Sequence, residues 1–264
     1  MESYKTVRFI KDESTFLVSL QVFLDEGQYG RVYFASDVEN PNQVMAVKEI
    51  NKAKLASGCR PGGYERRVER VVREMNNLRE VRSPNIVGFK MAAETKSSFY
   101  IGMEFCNFQH LMHLQHARPN RKFSEDEAKF LMRQIMTGME ALAAIGACHR
   151  DLKPQNLMLC MEPSLYTALM AKPKAEIRAF LREEPIQKMG LTLKITDLGF
   201  SKVFDGEENE SSRTFVGTPG YMAPEIEALQ GNQTYDAKKV DVYSIGAIWY
   251  YLLTGQVPTR YVNK

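Results

Sequence analysis

Short runs rich in apolar and β-branched residues, separated by turn-forming residues, dominate the first part of the chain. Such runs predict β-strands, and they lie at residues 16–24, 30–36, 44–50, 86–89 and 99–103. The sequence Asn40-Pro41-Asn42, between the second and third runs, is typical of a turn. We therefore expect a β-rich N-terminal part in which the first runs form hairpins.

Later segments change to helical periodicity. Residues 65–81 carry apolar side chains at three- and four-residue steps, which predicts an amphipathic helix. Residues 125–146 predict a longer helix, with Ser124 as its N-cap and Glu127 completing a capping box. The apolar residues from 245 to 253 predict a buried helix near the end of the chain.

These patterns together predict an α+β protein of two lobes, the first rich in strands and the second mainly helical. The boundary between the lobes is expected near residues 104–107. Residues 53–64 are rich in glycine and include a proline, so we expect a surface loop there.

The composition is that of an ordinary globular protein, with 44% hydrophobic and 25% charged residues. A net charge of +3 (35 basic minus 32 acidic residues) is too small to indicate nucleic acid or an anionic membrane as a partner. The four cysteines form no CxxC pair and no metal-ligand spacing, which indicates free thiols in a reducing compartment. The chain does not begin like a signal peptide, and its longest apolar run is shorter than the ~20 residues of a membrane span. We therefore expect no transmembrane segment and a location in the cytoplasm or the nucleus.

Five short motifs carry the candidate chemistry, and each is weak when taken alone. In chain order they are Gly27-Gln28-Tyr29-Gly30, Val44-Met45-Ala46-Val47-Lys48, His149-Arg150-Asp151-Leu152-Lys153-Pro154-Gln155-Asn156, Asp197-Leu198-Gly199 and Thr218-Pro219-Gly220-Tyr221-Met222-Ala223-Pro224-Glu225. Lys48 stands out because a lysine in an apolar strand is costly unless it is paired. In this order the whole set resembles the signature motifs of the eukaryotic protein kinases. The resemblance covers nearly all of the chain after residue 16.

The resemblance implies a bilobal protein-kinase-like fold with a small β-rich N-lobe and a mainly helical C-lobe. Residues 1–15 would be an N-terminal extension, residues 16–103 the N-lobe, and residues 104–264 the hinge and the C-lobe. The chain ends at Lys264, whereas the C-lobe of the family continues through several more helices. The resemblance therefore implies a C-terminally truncated lobe that lacks its last helices.

Residues 161–191 separate two motifs that lie much closer together in most of the family. Pro173 is placed to begin a helix in this stretch, with Ile177, Phe180 and Leu181 on one face. We interpret the stretch as an insertion packed on its own lobe, with a docking site as the alternative.

The resemblance also implies an ATP-binding set, which consists of Leu24, Gly27, Gly30, Val32, Ala46, Lys48, Met103, Glu104, Cys106 and Met158. Lys48 would contact the α- and β-phosphates and pair with Glu74. Gly27 and Gly30 occupy the second and third positions of the family's glycine-rich loop, and Asp25 stands at the first. The Asp25 carboxylate would either weaken ATP binding or point to solvent.

The catalytic residues that the resemblance implies are Lys48, Glu74, Asp151 and Lys153. Asp151 would accept the proton of the substrate hydroxyl. Lys153 resembles the lysine that serine/threonine kinases direct at the γ-phosphate. Asn156 and Asp197 would hold Mg²⁺, a hard cation that prefers oxygen ligands.

Residues 197–225 correspond to the activation segment of the family. Thr214 lies where relatives often carry an activating phosphate, which an upstream kinase or autophosphorylation would add and which Arg150 would bind. Thr218 would instead position the catalytic side chains, and Asp241 would support their loop.

The first functional hypothesis is a serine/threonine protein kinase that uses ATP and Mg²⁺ and acts on protein substrates. The alternative is a kinase-like scaffold, a pseudokinase that binds nucleotide without catalysis. Asp25, the Leu198 that replaces the commoner phenylalanine, and the short C-terminus favour this alternative, whereas the retained catalytic set opposes it. A small-molecule kinase is a third hypothesis, which the peptide-docking segment at 218–225 opposes.

Within the family, the segments at residues 50–55, 103–107 and 199–202 resemble the autophagy-initiating, ULK-like kinases. Kinases of the calcium/calmodulin and NIMA types share parts of these segments.

Overall fold

The computed structural model describes residues 5–11, 14–26, 30–198, 202–203, 211–212, 217–228 and 233–258. The chain divides into two compact units, a β-rich unit of Met1–Arg79 with Val87–Phe105 and a helical unit of Glu80–Ile86 with Cys106–Lys264. A strand-rich unit and a mainly helical unit confirm the predicted α+β class. In the part of the chain that the structure describes, no helix is both long enough and apolar enough to cross a membrane.

The β-rich unit is built on one antiparallel sheet of six strands in the order β1-β2-β3-β4-β6-β5. The strands are β1 (Lys5–Lys11), β2 (Ser14–Glu26), β3 (Gly30–Asp37), β4 (Val44–Asn51), β5 (Phe89–Glu94) and β6 (Ser98–Met103). Val18, Val47 and Tyr100 are almost completely buried in a core on one face of this sheet. The hairpins expected from the first runs are therefore present.

Strand β1 lies within residues 1–15, which the resemblance set apart as an extension. It pairs with β2 over its whole length, from Lys5 opposite Leu20 to Lys11 opposite Ser14. The side chain of Val7 is buried in the same core as Val18. The sheet therefore includes part of the segment that the family motifs do not cover.

Two helices complete the β-rich unit. Helix α1 (Lys52–Ala56) begins where Asn51 Oδ1 accepts a hydrogen bond from Lys54 N at 2.9 Å, an N-cap. The expected loop at 53–64 was thus partly wrong, because its first residues continue this capped helix. Helix α2 (Gly63–Glu80) corresponds to the helix predicted at 65–81.

The α-helices that the structure describes in the helical unit are α3 (Leu111–Ala117), α4 (Glu125–Ala144), α5 (Pro163–Met170), α6 (Lys174–Glu183), the short α7 (Pro224–Glu227) and α8 (Ala237–Thr254). Its strands are β7 (Ala147–Cys148), β8 (Leu157–Met161), β9 (Leu191–Ile195), β10 (Lys202–Val203), β11 (Ser211–Ser212) and β12 (Tyr235–Asp236). Strands β8 and β9 form an antiparallel pair, as do β7 with β10 and β11 with β12. The capping box predicted for α4 is confirmed, since Ser124 Oγ accepts from Glu127 N and Glu127 Oε2 accepts from Ser124 N.

The strand predicted at residues 86–89 was wrong. Only Ile86 makes a β-bridge, to Ile195 of β9, and β5 does not begin until Phe89. The side chain of Asn85 donates to the Leu193 carbonyl at 2.8 Å, and the Asn85 carbonyl accepts from Ile195 N. These bonds dock Asn85 and Ile86 on β9, where the Ile86 side chain is buried without joining the large sheet.

Residues 161–191 connect β8 to β9 and contain α5 and α6. Helix α6 begins directly after Pro173, as predicted. The buried guanidinium of Arg118 donates to the Glu184 carbonyl at 2.7 Å and lies 3.2 Å from Glu127 Oε1. Glu127 Oε1 also accepts from Ile186 N at 3.1 Å. The insertion is therefore fastened to its own unit around one buried arginine.

Candidate functional site

In the β-rich unit, Lys48 and Glu74 form an ion pair. Lys48 lies on β4 between Val32 of β3 and Ile101 of β6. Its Nζ is 2.7 Å from Glu74 Oε1, and the Glu74 side chain is only 4% exposed on the inner face of α2. Burial of a carboxylate without a partner is unfavourable, so the Lys48 ammonium group offsets the cost of burying the Glu74 side chain.

Four apolar members of the expected ATP-binding set, Leu24, Val32, Ala46 and Met103, lie on strands of the β-rich unit. Ala46 pairs with both Phe34 and Met103, so Ala46 and Met103 are neighbours on β4 and β6. Met103 is buried, and Val32 and Ala46 are half-buried. Leu24 on β2 is 43% exposed.

The segment expected to be the hinge is anchored at its start. Glu104 N donates to the Gly88 carbonyl at 2.7 Å, and Glu104 Oε2 accepts from Gly88 N at 3.1 Å. Cys106 and Met158 belong to the helical unit, where Cys106 is buried and Met158 is half-buried on β8.

The glycine-rich segment is described only in part, and Gly27 lies outside the described residues. Gly30 is required by packing, because a Cβ atom there would overlap the carbonyl group of Glu49 on β4. Asp25 is exposed, and its Oδ1 accepts from Glu26 N at 2.8 Å. Of the two alternatives for this carboxylate, the structure shows the one in which it faces solvent.

In the helical unit, Asp151, Lys153 and Thr218 form a closed cluster of hydrogen bonds. Lys153 Nζ donates to Asp151 Oδ2 at 2.9 Å and to Thr218 Oγ1 at 2.8 Å, while the Thr218 hydroxyl donates to Asp151 Oδ1 at 2.7 Å. Asp151 is 6% exposed. An ammonium group and a hydroxyl thus hold both oxygens of one buried carboxylate in fixed directions.

The loop that carries this cluster is held from below by Asp241 of α8. Asp241 Oδ2 accepts from His149 N at 2.8 Å, and Oδ1 accepts from Arg150 N at 2.7 Å. Burial raises the pKa of Asp241, while these two amide hydrogen bonds and the charge of Arg150 oppose the rise. Arg150 has a φ of 66°, a conformation that is rare outside glycine and clusters at functional sites.

His149 connects the two halves of the loop. Its Nδ1 accepts from Asp151 N at 3.2 Å, and its Nε2 lies 3.1 Å from the Thr196 carbonyl. A carbonyl only accepts, so the two bonds together require the tautomer with its proton on Nε2. The fully buried ring therefore serves as a structural link.

Asn156 and Asp197 lie at the same end of the β8–β9 hairpin. Leu157 pairs with Ile195, and Thr196 N donates to the Asn156 carbonyl at 2.9 Å. Asn156 Nδ2 donates to the Asp151 carbonyl at 2.9 Å. This bond fixes the orientation of the Asn156 amide and does not use its Oδ1 atom, which is the oxygen that can bind a cation. Asp197 has a φ of 61°.

This pair fits Mg²⁺ by the chemistry of its donors. Mg²⁺ is usually held by one or two protein oxygen ligands, with phosphate oxygens and water completing the shell. Across the described ranges, no group of three or more His, Cys, Asp or Glu side chains could hold a metal ion by itself. Asn156 and Asp197 are therefore the candidates to hold this ion together with a phosphate.

Sequence reasoning missed one residue that shapes this region. The side chain of Asn107 accepts from Met161 N at 2.8 Å and donates to the Met161 carbonyl at 2.9 Å. The next residues continue the pairing, since Phe108 N donates to the Leu159 carbonyl. No local signal reveals this clamp, because its partner lies 54 positions away. The phosphate acceptor expected at Thr214 lies outside the described residues.

Comparisons with known proteins agree on one family. A family model described as the protein kinase domain matches residues 19–264. The chain is 31% identical over 236 residues to CBL-interacting serine/threonine-protein kinase 12 of Arabidopsis thaliana, covering 89% of this chain and 40% of that protein. It is 32% identical over 243 residues to serine/threonine-protein kinase ULK1 of Homo sapiens, covering 92% and 20%. Serine/threonine-protein kinase SRK2E of Arabidopsis thaliana is 31% identical over 235 residues, covering 89% and 52%. The chain thus spans between a fifth and about half of the length of these relatives.

Proposed function

Because this chain belongs to the protein kinase family, we propose that it is a serine/threonine protein kinase that transfers the γ-phosphate of MgATP to hydroxyl groups of protein substrates. The observation that carries this proposal is the cluster of Asp151, Lys153 and Thr218, in which three hydrogen bonds of 2.7–2.9 Å fix both catalytic side chains. A scaffold that only binds nucleotide has no need of this arrangement.

Phosphoryl transfer depends mainly on positioning and on neutralisation of charge. Asp151 accepts the proton of the attacking hydroxyl, and its carboxylate is aimed by Thr218. Lys153 supplies a positive charge beside that carboxylate, where it stabilises the negative charge of the transferred group. The presence of lysine at this position favours serine and threonine over tyrosine as acceptors.

ATP and Mg²⁺ are the cofactors that these residues suit. When bound, Mg²⁺ neutralises phosphate charge, and Asn156 and Asp197 would hold it. Lys48 binds the phosphates, and Glu74 keeps its ammonium group in place through the 2.7 Å ion pair. Val32, Ala46 and Met103 pack against the base, and the hinge segment at residues 104–106 binds it.

The acceptor is a protein, because residues 218–225 keep the pattern that the family uses to dock peptides. We place regulation at Thr214, phosphorylated by an upstream kinase or by the protein itself. Kinship to the ULK-like group is our proposal for the subgroup, supported by the match to ULK1; the plant CBL-interacting kinases match to a similar extent. The cytoplasm is the proposed location.

The test is transfer of labelled γ-phosphate from MgATP to a generic protein substrate. We expect turnover by the wild-type chain and none by Asp151→Asn or Lys48→Met. Lys54→Met, which removes an exposed lysine from α1, is the matched control and should retain activity. Absence of turnover in the wild-type chain, together with measurable ATP binding, would replace the kinase by the nucleotide-binding scaffold.

A further inference from the structure

Four arginines surround a concave surface where α1 is followed by α2. The concavity encloses about 370 Å³. Arg60, Arg66, Arg67 and Arg70 line it together with Cys59 and two glycines, and no carboxylate is among the lining residues. The whole feature belongs to the β-rich unit.

Arg67 is part of the framework of this concavity. Its Nη1 donates to the Leu55 carbonyl at 2.7 Å and to the Ser57 carbonyl at 2.9 Å, which ties the end of α1 to the first turns of α2. Gly58 and Gly62 have φ values of 65° and 72°, so the connecting chain turns where other residues would be strained. The local backbone is therefore organised before any ligand arrives.

The other three arginines, Arg60, Arg66 and Arg70, are here called the arginine cluster, and among the described residues they do not tie α1 to α2 as Arg67 does. Arg60 and Arg66 are exposed and Arg70 is half-buried. Within the part of the chain that the structure describes, no member of the arginine cluster forms an ion pair with a carboxylate. Like charges brought together repel one another, so an anion in their midst would remove an unfavourable interaction.

The geometry favours a compact anion with several oxygens. A phosphomonoester carries a charge of about −1.5 to −2 and three strong acceptor oxygens, and guanidinium groups bind phosphate through paired N–H donors. An extended polyanion is recognised by a long basic surface, whereas this chain has a net charge of only +3 and its arginine cluster surrounds a single concavity.

We propose that the arginine cluster binds a phosphorylated serine or threonine side chain of a partner protein. This site is separate from the residues proposed to carry out phosphoryl transfer, and it does not depend on that activity. The neutral concavity walls, Cys59 and the glycines, leave room for the side chain that carries the phosphate.

The experiment titrates the 264-residue chain with a blocked pentapeptide that has a central phosphoserine, and with the same peptide without phosphate. Heat of binding and the NMR signals of ¹⁵N-labelled arginine side chains report on the interaction. Three double variants are compared with the wild type: Arg66→Gln with Arg70→Gln, Arg66→Lys with Arg70→Lys, and Lys174→Gln with Arg178→Gln on α6 as the control for lost charge.

We expect only the phosphopeptide to bind, with inorganic phosphate competing for the same arginine signals. The double variant Arg66→Gln with Arg70→Gln, called the glutamine pair, should bind the phosphopeptide about tenfold or more weakly than the wild type, because charge-assisted hydrogen bonds are lost. The double variant Arg66→Lys with Arg70→Lys, called the lysine pair, should bind with intermediate affinity, since lysine keeps the positive charge and lacks the paired N–H donors of arginine. The control pair should bind as the wild type does.

Equal binding of the two peptides, or wild-type affinity in the glutamine pair, would overturn the proposal. Tighter binding of single-stranded oligodeoxythymidine or of phosphatidylserine vesicles than of the phosphopeptide would also overturn it, in favour of a surface for polyanions. Thermal melting shows whether each variant is folded. If the glutamine pair melts early, the lysine pair decides, because a phosphate site must distinguish arginine from lysine.

Discussion

Thr218 donates its hydroxyl hydrogen to Oδ1 of Asp151 at 2.7 Å, across 67 positions of the chain. The hydroxyl oxygen of Thr218 in turn accepts from Lys153 Nζ at 2.8 Å. One hydroxyl thus orients both catalytic side chains, and it belongs to a segment that is remote from them in sequence. If Asp151 is the base, the direction of its carboxylate depends on Thr218.

We therefore predict that Thr218→Ala lowers kcat for peptide phosphorylation by roughly 10- to 100-fold, since a misdirected base is a poor one. The KM for ATP should change little, because Thr218 is not expected to touch the nucleotide. Thr218→Ser keeps the hydroxyl and should restore most of kcat. Steady-state kinetics of the wild type and the two variants measure kcat and KM. Equal losses of kcat in the alanine and serine variants would show that the hydroxyl of Thr218 does not orient the base.

Glu127 is predicted to be a main support of the insertion at 161–191. Its carboxylate caps α4, accepts from Ile186 N and faces Arg118, whose side chain is 4% exposed. Glu127→Ala leaves a buried guanidinium without its carboxylate, which should cost about 3 kcal/mol of unfolding free energy.

Urea denaturation measures this cost. Glu125→Ala is the control, because it removes an exposed carboxylate from the same turn of α4, where its partner is Lys129. Surface pairs of this kind contribute little. An equal loss of unfolding free energy in both variants would mean that the contact between Glu127 and the buried Arg118 stabilises the protein no more than a surface ion pair does.

Gly30 is predicted to be indispensable for packing. A methyl group there would overlap the Glu49 carbonyl, so Gly30→Ala must push β3 away from β4 and should cost about 1–3 kcal/mol. Gly246 of α8 is the matched control, because a Cβ atom there meets nothing within 4 Å. Gly246→Ala should be neutral or stabilising by up to about 1 kcal/mol, since alanine is the better helix former. Thermal unfolding compares the two, and the packing argument fails if Gly30→Ala is as stable as the wild type.

The features that could be predicted from sequence are those whose causes lie close together in the chain. The capping box joins Ser124 to Glu127 across one turn, and Pro173 begins α6 through its own backbone geometry. Each signal depends only on residues that are close together in the chain, so it can be recognised in the sequence before the fold is known. The two-unit α+β arrangement follows from the same kind of information, because the change from strand runs to helical periodicity is visible along the chain.

The features that could not be predicted depend on distant partners. Ile86 lies in an apolar run that is typical of a strand, yet Asn85 commits the segment to β9 through bonds to Leu193 and Ile195. Asn107 clamps Met161 in the same way. In each case an ordinary polar residue gains its role from a backbone that folding brings to it. Family resemblance supplied the identity of the candidate catalytic residues, whereas the hydrogen bonds that orient them required coordinates.

Cys148 is predicted to be chemically silent in the folded protein. Burial, followed by the nearby charge of Asp241, raises the pKa of its thiol from about 9.0 to about 12. Only the thiolate reacts with alkylating reagents, so Cys148 should remain unmodified by iodoacetamide at pH 8. Cys59 and Cys160 are half-buried and should be modified first.

The same shift makes Cys148 a source of pH-dependent stability. The unfolded thiol loses its proton near pH 9, whereas the folded thiol keeps it to about pH 12. Its contribution is therefore complete below the unfolded pKa and is lost as the pH rises from about 9 towards 12. Mass spectrometry of alkylated peptides, with and without urea at pH 8, tests the reactivity. Modification of Cys148 in the native protein as fast as that of Cys59 would show that the thiol is not shielded as the structure requires.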